Sequence, residues 1–297
     1  MPSVQVLRTA VEKLRPSPEH VTSVHAEFLM LCLAAKHMKA AVPVLEQRIL
    51  KISTDCVSAR DFLLYYYYGG MLMAANKNFT MALDLLMLAF TMPCHALSGL
   101  VVEAYKKYML ISLILHGEVQ QLPKYTGTLV QRLIKTCCHE YNELANAMAT
   151  HKVEKVKKVV RRYTEAFTKD QNLGLAEQAL ESVYRRNIQR LTQTFVTLSL
   201  EDIAQQVSLP GASEAKAQLL SMIGKGQISA SIDEGKGMVS FDKEADPNTS
   251  DVLAAKLERQ ILVAMELNEK LRAADEAISV NPTYLGKIST QVASDLI

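Results

Sequence analysis

The stretch NIQRLTQTFVTLSLEDIAQQVSLPGASEAKAQLLSMIGKGQISASIDEGKGMVSF, residues 187–241, changes its hydrophobic period along its length. Asn187 to Phe195 keeps helical spacing, and Val196-Thr197-Leu198 then leans toward strand. Ser199 can cap a helix that runs through Val207, with Glu201 and Asp202 at the positive end of its dipole. Pro210-Gly211 breaks that helix, and Ser213 to Ile223 forms a further one closed by Gly224 and Gly226. Ile228, Ala230 and Ile232 alternate with Ser229 and Ser231, which is strand periodicity. Glu234-Gly235-Lys236-Gly237 turns the chain, and Met238 to Phe241 returns as a second strand. Helix, short strand, helix, helix and hairpin, in that order, make a winged helix.

A winged helix often lays its second helix in the major groove of DNA. Charge argues against nucleic acid here. Between Leu200 and Phe241, Glu201, Asp202, Glu214, Asp233 and Glu234 outnumber Lys216, Lys225 and Lys236, and the expected recognition helix has no arginine for guanine or phosphate. What remains is the edge of the hairpin, whose backbone can add a strand from a protein partner. The expected interface therefore includes Ile228, Ala230 and Ile232 on one strand and Val239 and Phe241 on the other. A proline at Ser229 or Ser231, whichever amide faces outward, should block it.

Toward the carboxy end, Ser250 to Ile278 reads as one long helix. Leu253, Leu257, Gln260, Ala264, Leu267, Leu271, Ala274 and Ile278 follow each other at spacings of four and three, the seam of a coiled coil or bundle. Asn281-Pro282 closes it. A seam this long exceeds what a small winged module can cover, so Leu253, Leu257, Leu267, Leu271 and Ile278 are expected to meet other proteins.

Toward the amino end the chain is a run of helices. Ser17-Pro18-Glu19 predicts a helix start, with Val21, Val24, Phe28, Leu31, Ala35 and Met38 on the buried stripe and His25, Lys36 and Lys39 in water. Phe62–Ala75 and Thr80–Phe90 form a hairpin about Asn76-Lys77-Asn78. Phe79, Leu83, Leu86 and Phe90, widened by Ala82, Leu85 and Ala89, need cover on more than one side, as stacked neighbours in a solenoid provide. Glu103–Leu115 ends at Gly117, and Leu129–Ala149 gives another helix. Val153 to Phe167 is the most basic segment, with Lys155, Lys158 and Arg162 around a stripe of Val153, Val156, Val160, Tyr163 and Phe167. Because these charges surround the stripe instead of converging, they read as a solvated face. The expected division is a tetratricopeptide-like helical-repeat solenoid over 1–186, the winged-helix part over 187–245, and a terminal bundle helix over 250–280; the class is mostly α.

Composition agrees with helices. Of 297 residues, 49% are apolar, none is tryptophan, and there are 12 glycines and 9 prolines. The net charge of +2 gives no overall attraction to nucleic acid or an anionic membrane. The uncharged run Phe62 to Asn76 is too short for a bilayer, and charged residues between Met1 and Pro16 interrupt what a signal peptide needs. Five scattered cysteines suit reduced thiols in cytoplasm or nucleus. Cys137-Cys138-His139 invites a metal, yet consecutive helical residues point about 100° apart and cannot close a tetrahedral site. Cys94-His95 carries no sign of a nucleophile's supporting groups. Gly224-Lys225-Gly226 and Gly235-Lys236-Gly237 lack the spacing of a phosphate loop. Tyr65 to Tyr68 with Gly69-Gly70 reads as gap-filling rings beside a close backbone approach. No catalytic residue, metal or cofactor is expected.

Several blocks carry a family resemblance: Val21-Thr22-Ser23-Val24-His25-Ala26, Leu31-Cys32-Leu33-Ala34-Ala35-Lys36, Tyr65-Tyr66-Tyr67-Tyr68-Gly69-Gly70-Met71 and Glu103-Ala104-Tyr105-Lys106-Lys107-Tyr108. Val119 to Tyr125, Asn187 to Thr192, Thr197 to Leu200, Ile228 to Ile232, Gly237 to Phe241 and Val280-Asn281-Pro282 extend it over nearly the whole chain. Together they resemble the PCI-domain family of COP-nine signalosome subunit three. The resemblance implies a non-catalytic subunit of a complex that removes a ubiquitin-like modifier from cullins and so regulates cullin-RING ubiquitin ligases, with the metal-dependent isopeptidase in another subunit. It further implies winged helices packed edge to edge, terminal helices joined in a shared bundle, and subunits one and eight as neighbours. Family members carry helices ahead of the position of Met1, so the solenoid is expected to be incomplete at that end. PCI subunits of the proteasome lid and of a translation-initiation complex, or a nucleic-acid-binding adaptor, are the other placements for this architecture.

Overall fold

The computed structural model describes residues 2–17, 19–47, 49, 51–52, 57–93, 98–233, 235, 237–241 and 250–286. It begins with α1 (Pro2–Leu14), β1 (His20–Val21), α2 (Ser23–Ala34), α3 (Met38–Leu45), β2 (Lys51–Ile52), α4 (Ala59–Ala75), α5 (Phe79–Thr91) and α6 (Gly99–Leu115). There follow α7 (Thr128–Cys137), α8 (His139–Ala149), α9 (Val153–Arg162), α10 (Thr164–Lys169) and α11 (Leu173–Thr194). The winged part is β3 (Thr197–Ser199), α12 (Leu200–Val207), α13 (Ala212–Gly224), β4 (Ala230–Asp233) and β5 (Met238–Phe241), and α14 (Ser250–Ser279) comes last. The chain divides into two units, one within residues 1–241 and one that holds α14.

Helical repeats followed by a winged helix are thus what the chain builds, and each hairpin has a local cause. Ser58 accepts from the Asp61 amide while Asp61 Oδ2 accepts from the Ser58 amide at 3.2 Å, a capping box that starts α4. Lys77 takes a left-handed φ of 64° between the two helices, and Asn78 caps α5. The glycines of α4 let α5 come close: a Cβ on Gly70 would stand 2.6 Å from Leu86 Cγ. The rings of Tyr65 and Tyr66 pack edge to face at 5.0 Å and are buried, as gap-fillers should be.

One hydrophobic core runs from Val4 to Val183 and a second from Ile188 to Phe241. Both draw on α11, and Tyr184 touches each. Arg186, just ahead of the second core, donates to the terminal carbonyls of α6 at Leu113 and Ile114, 3.1 and 3.0 Å away. A buried polar chain holds α6, α8 and the start of α11 together: Lys106 binds Asp170 at 2.8 Å, Tyr141 donates to the same carboxylate at 2.8 Å, and Asn172 donates to Tyr141 at 2.9 Å. Burial alone would raise the Asp170 carboxyl, but Lys106 and Tyr141 hold it below the usual carboxylate range.

Several local expectations shift. Ser17 does not start a helix; its hydroxyl pairs with His20 Nδ1 at 2.7 Å, and α2 begins after Thr22. The buried face of α2 is His25, Ala26, Phe28, Leu29 and Cys32, so His25 lies in the core and not in water. The stretch expected as a single helix from Leu129 to Ala149 is two, broken at Cys138 (φ −121°), and the basic segment breaks at Tyr163 (φ −105°). The parallel pairing of His20 with Lys51 and Val21 with Ile52 has no signal in pattern, because two-residue strands carry no periodicity.

Candidate protein interface

In the winged module the strands lie in the order β3-β5-β4, antiparallel throughout, so β4 is an edge. Ser199 starts α12 by accepting from the Asp202 amide at 3.0 Å, and Ser208, left-handed at φ 60°, ends it. This fixes the turn on which the sheet rests. Val239 on the central strand is fully buried and Phe241 is 5% exposed, so both side chains belong to the module's own core. Ile228, Ala230 and Ile232 are half-buried against that same core. What β4 can offer a partner is therefore backbone, with Ser231 and Asp233 exposed beside it.

Which amides face outward follows from one bond and the register. The Phe241 amide donates to Val196 O on the β3 side at 2.8 Å. Because successive residues of a strand alternate sides, Val239 also faces β3, while Ser240 and Met238 face β4. Ser240 pairs with Ser231 and Met238 with Asp233. Ser231 is thus engaged with β5, and the outward amides and carbonyls of β4 are those of Ala230 and Ile232. Sequence periodicity found the strand but had no means of assigning this parity, so neither serine is the position at which proline would block an outer bond.

On α14 the seam residues Leu257, Leu267, Leu271 and Ile278 are 49%, 56%, 68% and 52% exposed. Ile261, Leu262 and Met265 add to the apolar surface beyond the expected seam, at 59%, 61% and 60%. These were missed because a four-three spacing counts only the seam and ignores flanking positions. The Leu253 side chain lies outside those described.

Cys137 and Cys138 of the Cys137-Cys138-His139 run do not share an environment, the first being exposed and the second buried. Cys138 is buried, which pushes its thiol up to about 12, whereas the His139 side chain is 75% exposed, 4.0 Å from Glu143. Cys94 and His95, and Glu234 and Lys236 of the glycine turn, lie outside the described residues. Among the described residues no three His, Cys, Asp or Glu side chains converge as a metal site would need, and no helix is long and apolar enough to cross a membrane. Arg162 is paired with Glu143 at 2.8 Å and Lys157 with Glu154 at 3.4 Å, so carboxylates answer part of the basic face of α9.

Comparison with known proteins agrees with this architecture. Residues 1–130 match the family described as COP9 signalosome complex subunit 3, N-terminal helical repeats, and residues 160–243 match the PCI domain. COP9 signalosome complex subunit 3 of Drosophila melanogaster is 35% identical over 310 aligned positions, covering 99% of this chain and 69% of the relative. The Arabidopsis thaliana protein of that name is 40% identical over 286, covering 96% of this chain and 66% of the relative. The chain thus spans about two thirds of the length of these relatives. With a helical-repeat match, a PCI match and relatives of this identity along nearly its whole length, the chain belongs to the family of COP9 signalosome complex subunit 3.

Proposed function

We propose that the chain is a non-catalytic structural subunit of a COP9 signalosome, serving in cytoplasm and nucleus to hold other subunits in place. Through them it takes part in removing a ubiquitin-like modifier from cullins, and so in regulating cullin-RING ligases. Subunits one and eight are its proposed neighbours. The division of labour is a solenoid over 1–186, a winged helix over 187–245 and a bundle helix over 250–280, in keeping with the separate cores to either side of residue 186.

The observation that carries this reading is the apolar surface of α14, where Leu257, Leu267 and Leu271 are each about half or more exposed. Surface of that kind at heptad spacing is complementary to other helices. The backbone edge of β4 supports a second contact, by strand pairing with a neighbouring winged helix. No cofactor enters the proposed role.

The test is Leu257→Asp combined with Leu271→Asp. Companions that co-purify with the unaltered chain should be lost from the double variant, while its circular dichroism and melting temperature stay unchanged. Companions retained in full would overturn the assignment of α14 as the joining element.

A further inference from the structure

The connection after α1 leaves one motif without a structural use. Ser17-Pro18 is the one Ser-Pro or Thr-Pro pair in the 297 residues, and it does not start a helix: α1 ends at Leu14 and α2 begins at Ser23. Residues 15–17 and 19 belong to no helix or strand, and the Ser17 side chain is partly exposed. A proline disfavours the helical conformation for the residue ahead of it, so Ser17 is biased toward extended backbone. Among the described residues its hydroxyl is held by one side chain, His20 Nδ1 at 2.7 Å, and by no backbone group.

This is the presentation that a protein kinase needs. Phosphoryl transfer requires the acceptor hydroxyl in line with the leaving oxygen, which a kinase achieves on a substrate laid out extended in its groove. Proline-directed kinases also take, after the acceptor, a residue without an N–H, and Pro18 has none.

A second kinase motif supplies the contrast. Arg161-Arg162-Tyr163-Thr164 places two arginines ahead of a threonine, as basophilic kinases require. Thr164 is exposed, but this motif runs from the last turn of α9 into α10. The Thr164 hydroxyl donates back to Val160 O at 2.9 Å, with Arg161 O at 3.1 Å. Extending the motif would unravel helix on both sides, where Val160 and Phe167 are buried. Of these two motifs in the sequence, the fold presents the first and withholds the second.

We propose that Ser17 is a phosphorylation site for a proline-directed serine/threonine kinase, and that the phosphate it gains is received by His20. Ser17 Oγ forms its bond to the γ-phosphorus of ATP as the bond from that phosphorus to the β–γ bridging oxygen breaks. ADP leaves with the electron pair, and the hydroxyl proton passes to the kinase's catalytic carboxylate. The new group carries nearly two negative charges and three acceptor oxygens, at a place the imidazole already touches. Arg15, bonded to the uncharged Gln47, adds a cation to the same connection, in which Glu19 is the one acid. A phosphate held by His20 ties the end of α1 to β1. The site does not rest on the joining role of α14.

The test incubates the 297-residue chain with MgATP and a kinase, and locates phosphate by mass spectrometry. A cyclin-dependent and a mitogen-activated kinase are the proline-directed probes, and a cAMP-dependent kinase is the basophilic one. A proline-directed probe should label Ser17, and Pro18→Ala should slow that labelling about tenfold or more. The basophilic probe should leave Thr164 unlabelled in the folded chain yet label a synthetic peptide of residues 158–168. In the labelled chain the phosphorus NMR signal of the phosphoserine should shift on His20→Ala. No label on Ser17 from either proline-directed probe, or labelling indifferent to Pro18→Ala, would overturn the site. Thr164 labelled in the folded chain as fast as in the peptide would overturn the argument from conformation, and a phosphorus signal unmoved by His20→Ala would remove His20 as the receiver.

Discussion

Gly70 shows how a single missing Cβ sets the spacing of two helices. An added methyl would meet Leu86 Cγ at 2.6 Å and Cδ2 at 2.8 Å, and Leu86 is itself fully buried, with no room to retreat. Gly70→Ala should therefore destabilise by about 1–3 kcal/mol, the range for overpacked cores. Gly174 lies in the first turn of α11 with open space where its Cβ would be. Gly174→Ala should stabilise by about 0.4–1 kcal/mol through the unfolded chain. Denaturant midpoints of the two variants should move in opposite directions; a shift of the same sign would contradict the packing account.

At the same scale, His25 couples stability to acidity. Its ring is buried against Tyr65 at 5.9 Å, its Nδ1 accepts from the Thr22 amide at 3.1 Å, and burial together with the Arg15 charge lowers its pKa from 6.5 to about 4. Between those two values the unfolded state holds the extra proton, so the neutral-ring contribution is complete above pH 6.5 and declines as pH falls toward 4. Its size is on the order of 3 kcal/mol. His25→Gln keeps an acceptor near Thr22 but cannot titrate. The difference in unfolding free energy between parent and variant should shrink through that interval and stay level above it; parallel curves would refute the coupling. Sequence spacing put His25 on the wet face because Val24, Phe28 and Leu31 were counted as the centre of the stripe, whereas the buried face of α2 centres on His25, Phe28, Leu29 and Cys32.

Among elements, legibility followed the strength of local signals. The α4–α5 hairpin was readable because Asn76-Lys77-Asn78 supplies both a left-handed residue and a cap. The winged order was readable because glycines, Pro210 and Ser199 punctuate it, and α14 because its spacing persists over many turns. The break at Cys138 was not: Thr136, Cys137, Cys138 and His139 are individually only weak helix formers, and no Gly or Pro marks the spot. Interface readings failed where a side chain's direction was needed. Alternation identified Val239 and Phe241 as special, but a central strand uses such residues for its own core. The parity of β4 now gives a sharper prediction. Ala230→Pro removes an outward amide and leaves the ladder to β5 intact, so it should weaken binding to a partner while the melting temperature changes little. Ser231→Pro takes an inward amide and should lower the melting temperature of the winged module itself. If Ser231→Pro melts like the parent and Ala230→Pro does not, the assigned parity is inverted.

On the scale of the whole chain, α11 is the element both cores share within residues 1–241. At 22 residues it is about 33 Å long, and its buried residues divide in order: Ala176, Ala179 and Val183 serve the first core, Ile188 the second. A rigid helix of this kind lets a small winged module be carried without an extensive interface of its own, while its backbone links the two folding units. Local stability should nonetheless differ on either side, because opening follows the buried apolar contacts of each cluster and not the continuity of one helix. Ile188 is fully buried in the smaller cluster, and Ile188→Ala should remove about 2–5 kcal/mol there. Amide exchange read by mass spectrometry should then quicken over residues 197–241, while peptides from α4, α5 and α6 keep their protection. Equal quickening in both regions would mean that α11 binds the cores into a single cooperative unit, and that the winged module cannot loosen at its partners without loosening the solenoid.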